Sequence, residues 1–104
     1  MVSSVNVAIQ NEMQDFVMNM SQEIIQLIND RLKELEEKKD EELSEKEGWE
    51  KDTLTEEKGN IEGLVSDVKN GKISAEEAKG EMDEIIARVV SASESVREKL
   101  GAAE

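Results

Sequence analysis

The side chains in this chain with the clearest acid–base or metal-binding chemistry are carboxylates, and Glu36, Glu37, Asp40, Glu41 and Glu42 form their densest run. Two carboxyl groups serve as general acid and base only when their environments differ and one is desolvated. No apolar wall flanks this run, so it reads as a solvated charged face. The chain has no His and no Cys. That excludes triads built on those residues and sites built on thiolates or disulfides. Gly59, Gly63 and Gly71 do not form a phosphate-cradling loop. The expectation is a protein that is not an enzyme and carries no cofactor.

One segment has a spacing suited to metal binding. Asp67 to Glu77 resembles the later part of an EF-hand calcium loop: with Gly71 as the sixth loop position, Asn70 is fifth, Ile73 eighth, Ser74 ninth and Glu77 twelfth. The first and third positions then fall on Ser66 and Val68, where such a loop needs oxygen ligands, and Asp67 is one position out of register. A glycine turn followed by a capped helix explains the same residues, so no metal is expected.

The elements that position these residues are helices. Apolar residues at Ile9, Met13, Phe16, Met20, Ile24 and Leu27 fall three or four apart, with Val17, Ile25, Ile28, Leu32 and Leu35 widening the stripe. Such spacing makes one face of a helix, here broad enough to touch two neighbours. Beyond Leu35 the stripe fades. The pairs Glu34–Lys38, Glu42–Lys46 and Glu47–Lys51 still favour helix, by roughly 0.2–0.5 kcal/mol each. Helix 1 is therefore expected over about 5–46, with a turn at 48–53 around Gly48. Thr53 and Glu56 have capping-box spacing, and helix 2 is expected over about 54–69, with Ile61, Leu64, Val65 and Val68 on one face. Asn70–Gly71 stops it. After a turn at 70–73, Ser74 and Glu77 repeat the capping-box spacing. Helix 3 follows over about 75–100, with Ala78, Met82, Ile85, Ile86, Val89, Val90, Val96 and Leu100 as its stripe.

These elements predict an all-α protein with a single helical domain over 1–104. Two arrangements fit. One is a long antiparallel helical hairpin, with helix 1 against helices 2 and 3. The other is an elongated three-helix bundle. One Phe, one Trp and no Tyr leave a thin aliphatic core, and small domains with thin cores often lean on a partner subunit. The expectation is a homo-oligomer or a helical protein partner. Its anchors would be Met13, Phe16, Met20, Ile24, Leu27, Ile28, Met82, Ile86 and Val89.

Charge narrows the partner. The formal net charge is −13. Nucleic-acid backbones require clustered Lys and Arg, so direct nucleic-acid binding is not expected. Anionic lipid is excluded on the same ground. Asn11, Glu12, Asp15, Asn19, Glu23 and Asp30 interrupt residues 5–32, so no membrane insertion is expected. The amino end lacks a basic segment followed by an unbroken apolar run, so no Sec-type signal is expected. A cytoplasmic location follows, with non-Sec export left open.

Gly48-Trp49-Glu50-Lys51 lies almost at the midpoint of the chain. In size and layout the chain resembles the WXG100 family of small secreted helical hairpins, which turn at a mid-chain Trp-x-Gly. No Gly stands two residues after Trp49, and no Tyr is present for that family's C-terminal export signal. Three functions follow. The first is a non-enzymatic helical interaction protein: an adaptor, a chaperone, or a secretion or phage accessory subunit. The second is an acidic nucleic-acid mimic that inhibits a basic DNA- or RNA-handling protein through residues 34–57. Lysines dilute that field, since residues 33–60 carry twelve acids and six Lys. The third is a secreted hairpin of the WXG100 type.

Overall fold

A computed structural model describes residues 4–103, with side chains described for 12–39 and 41–101. The described residues are all-α: α1 (Ser4–Glu36), a short 3-10 turn (Asp40–Glu42), α2 (Glu45–Lys69), α3 (Ala75–Ala92) and α4 (Glu94–Ala103). Each of α1, α2 and α3 packs against the other two, and α4 packs against α1 and α3. Arg31 at the end of α1 meets Glu50 at the start of α2, and Ser93 after α3 meets the same Glu50. At the opposite end, Lys79 early in α3 lies over Phe16 early in α1. The three helices therefore run up, down and up, with α3 parallel to α1. The molecule is elongated, 61 × 27 × 18 Å. No described helix is long and apolar enough to cross a membrane.

The breadth of the α1 stripe is explained by its two neighbours. Val17, Ser21, Ile24, Ile28 and Leu35 form its fully covered centre line. Met18, Ile25 and Leu32 flank that line and pack against the core. Met18 and Ile25 share a groove with Val65 and Lys69 of α2. Met20 and Leu27 also pack on the core, half-buried. The side chain of Ile9 lies outside the described residues. From α2 the core receives Leu54, Ile61, Leu64 and Val68, and from α3 Ala78, Met82, Ile85 and Val89. Complete burial of one such aliphatic side chain is worth about 1.5–3 kcal/mol.

The first turn comes earlier than the periodicity predicts. Helix 1 stops at Glu36 rather than near Lys46, and the reversal occupies 37–44 rather than 48–53. Between Leu35 and Lys46 the only apolar side chain a longer helix could bury is Leu43. The ion pairs expected to carry such a helix are worth only tenths of a kcal/mol. Ser44 opens α2 instead: its hydroxyl accepts from the Glu47 amide at 3.1 Å, and the Glu47 carboxylate accepts from the Ser44 amide at 3.3 Å. This is the capping box placed by expectation at Thr53 and Glu56, which lie inside α2. Gly48 and Trp49 are helical too.

The second turn falls at 70–74, close to its predicted place. Gly71 has φ 73°, a left-handed backbone that Gly adopts without cost. The Lys72 amide donates to the Asp67 carbonyl at 2.9 Å and the Gly71 amide to the Val68 carbonyl at 3.1 Å, a Schellman ending. Ser74 then caps α3 by accepting from the Glu77 amide at 3.1 Å. The calcium-loop-like segment is thus one helix ending and one helix beginning. Among the described residues, no three acidic side chains converge to hold a metal ion.

Helix 3 does not run unbroken to Leu100. Ser93 leaves the helical backbone (φ −130°, ψ 105°), ending α3, and α4 starts at Glu94.

Candidate interaction surface

Two regions stand out once the helices are placed, at opposite ends of α1. The first is a buried polar clasp. Glu50 is 6% exposed. Arg31 donates to it twice, Nε to Oε2 at 2.7 Å and Nη2 to Oε1 at 3.1 Å. The fully buried Ser93 hydroxyl donates to Oε2 at 2.6 Å. The same hydroxyl accepts from the Val96 amide at 3.3 Å and so caps α4. One carboxylate therefore ties α1, α2 and the α3–α4 junction together. Burial pushes the Glu50 carboxyl up, but the bonds from Arg31 and Ser93 outweigh it and hold it below the usual range. The hydrogen bond to Glu50 likewise raises Arg31 above an ordinary guanidinium. Arg31 also reaches Glu34 at 3.0 Å, and Lys99 of α4 approaches Glu34 at 3.5 Å. The hydrogen bond from Arg31 lowers the pKa of Glu34.

Seven residues along α2, a second carboxylate is buried. Glu57 Oε1 accepts from Arg88 Nε at 3.0 Å and from Asn60 Nδ2 at 3.4 Å. Its Oε2 is buried without a hydrogen-bond partner among the described residues. The two carboxylates thus join α2 to the helices on either side of it, Glu50 through Arg31 and Ser93 and Glu57 through Arg88.

The second region is the open edge between α1 and α3 at the far end. Phe16 is 47% exposed. With Glu12, Met13 and Lys79 it lines a shallow depression of about 280 Å³. Lys79 Nζ lies 6.0 Å from the centroid of the Phe16 ring, within cation–π range. Along the same side of α1, half-buried Met20 and Leu27 continue the line, and Ile86 of α3 is also half-buried. Another exposed aromatic, Trp49 at 54%, borders a separate α2–α3 groove with Thr53, Ala87, Arg88 and Ser91.

The expected anchors thus divide. Ile24, Ile28, Met82 and Val89 lie in the chain's own core, and their apolar surface is covered by its own helices. Met13, Phe16, Met20, Leu27 and Ile86 keep surface open to solvent.

The clasp is absent from the sequence reading, although its signal is present. Leu54, Ile61, Leu64 and Val68 follow a heptad, and extending it backwards lands on Glu57 and then Glu50. Both occupy seam positions, and both are buried.

Comparison with known protein families, with characterised proteins and with solved structures finds no match to this chain.

Proposed function

We propose that this chain is a non-enzymatic helical interaction protein, an elongated three-helix bundle that engages other proteins through the α1–α3 edge. The observation that carries this reading is Phe16, an aromatic side chain left 47% exposed beside Met13. Ile24, Ile28 and Val89 are fully covered by comparison. Exposed apolar surface on an otherwise charged molecule marks association sites, and aromatic and Met side chains are enriched in them. Met13, Phe16, Met20, Leu27 and Ile86 are the contact residues.

The acidic-mimic reading draws less support. Glu34, Glu47, Glu50 and Glu57 are held by Arg31, Lys38, Lys99 and Arg88 of the same chain, which weakens the field they can project. The WXG100-like reading loses the layout it rests on, because the reversal precedes Trp49 and the Trp lies in α2.

Site-specific photocrosslinking in cells tests the proposal. A benzophenone side chain placed at Phe16 is expected to yield a discrete covalent adduct. The same group at exposed Asp52 on α2 is the control. Equal labelling at both positions, or none at Phe16, overturns the assignment of this edge.

A further inference from the structure

The α2–α3 turn sets a carboxamide beside a backbone nitrogen that can attack it. Asn70 caps the end of α2, and Gly71 follows it. A bond from the Gly71 nitrogen to the Asn70 side-chain carbonyl carbon closes a five-membered ring, which forms with little strain. Both residues are exposed. Gly71 has no side chain to shield its nitrogen, and a Cβ built there meets nothing within 4 Å. The Asn70 Nδ2 donates to the exposed Ser66 hydroxyl at 3.3 Å, a length at which the bond holds the amide only loosely.

The turn gates the attack. Asn70 has ψ 0°, which turns the Gly71 nitrogen away from the Asn70 side chain. That nitrogen also donates to the Val68 carbonyl at 3.1 Å. Rotation about one backbone bond brings the groups together, and it breaks this hydrogen bond and the neighbouring one from Lys72 to Asp67. Both lie at the frayed edge of α2, where local opening is easiest. The other asparagines differ. Asn19, Asn29 and Asn60 lie inside α1 and α2, so the amides that follow them are committed to the helical ladder. Those amides belong to Met20, Asp30 and Ile61, whose side chains crowd the nitrogen.

We propose that this turn is a site of spontaneous covalent modification, in which Asn70 loses its side-chain nitrogen through a cyclic imide formed with Gly71. A base from solvent removes the Gly71 amide proton. The nitrogen bonds to the Asn70 side-chain carbonyl carbon, the bond from that carbon to Nδ2 breaks, and Nδ2 leaves as ammonia with a proton from water. Water then opens the ring. Attack at the former side-chain carbonyl gives aspartate, and attack at the backbone carbonyl gives isoaspartate. No oxidant or reductant is needed. Either product adds a negative charge at the carboxyl end of α2, where the helix dipole opposes it. Isoaspartate also lengthens the main chain by one methylene, so the hydrogen-bond register of the Schellman ending is lost. The reaction therefore loosens the joint between α2 and α3.

Peptide mapping by mass spectrometry tests this on the full folded chain, aged in mildly alkaline buffer. Asn70 should convert at least about tenfold faster than Asn19, Asn29 or Asn60, whose amides are released only when a helix interior opens. The product should contain isoaspartate in excess over aspartate, read from backbone fragmentation. Asn70→Gln should abolish the modification at this position, because its ring would be one atom larger. Chain unfolded in urea should react faster than folded chain. Four results overturn the proposal. One is a folded chain still unmodified when the unfolded chain has reacted to completion. Another is equal conversion at Asn60 and Asn70. The third is a product that is aspartate alone, which means direct hydrolysis without the ring. The last is undiminished modification in Asn70→Gln.

Discussion

The two ends of α1 solve opposite problems. Near Arg31 the helix meets its neighbours through buried charge, and every group in that cluster has its partner inside the chain. Near Phe16 it meets them through apolar contacts that stop short of covering the surface. A buried ion pair adds little net stability against well-packed hydrophobes, but it penalises every arrangement that separates its members. The clasp therefore fixes which helices meet and at what level, while the open end is left with surface for association.

The contrast is broken most strongly at Glu50. Replacing it with Ala leaves Arg31 and the Ser93 hydroxyl without their acceptor and is expected to destabilise the fold by about 2 kcal/mol, Arg31 being partly solvated. Urea unfolding measures this. Arg31→Met combined with Glu50→Leu should restore most of the loss or exceed wild type, because no buried charge is then stranded. A double variant as unstable as Glu50→Ala would mean that the clasp contributes binding energy rather than specificity.

Acid should reach the same end of the molecule. The Glu50 carboxyl is held below its ordinary range in the folded chain. Its stabilising contribution is therefore complete above the unfolded value of about 4.3 and is lost as pH falls through the lower folded value. Urea midpoints between pH 3 and pH 7 should fall below about pH 4 for wild type, and less steeply for Glu50→Gln.

A smaller effect of opposite sign is expected at Gly59. A methyl group added there meets nothing within 4 Å, and the position is an exposed one inside α2. Gly59→Ala should stabilise by about 0.5–1 kcal/mol through helix propensity, read as a higher melting temperature. Smallest of all is Phe16→Ser. With half its surface already in water, it should change monomer stability by under about 1 kcal/mol, while removing the crosslink-competent surface. A large loss of stability there would place Phe16 in the core and erase the contrast between the ends.

Much of this fold could be read from the chain. The line from Val17 to Leu35, the stop at Asn70–Gly71 and the Ser74 cap follow from helical period and backbone preference. The width of the α1 stripe implied two neighbours, which α2 and α3 supply. The first turn was hidden because charge pairs such as Glu34–Lys38 promise helix. In the structure Lys38 turns to Glu47 of α2, at 2.6 Å. Local propensity gave way to a cap at Ser44 and to burial further along. The clasp was hidden for a related reason: Glu50 and Glu57 look like members of a solvated run, and only the phase of the α2 seam separates them from their neighbours. The break at Ser93 depends on a bond to Glu50, forty-three residues away, which no local pattern records.

That break has a consequence for how the molecule comes apart. Ser93 closes one ladder of backbone bonds and opens the next, so unwinding from the carboxyl end meets a firebreak after ten residues. Amide exchange in α4 should proceed as its own opening event, leaving the protons of α3 locked until the whole domain yields.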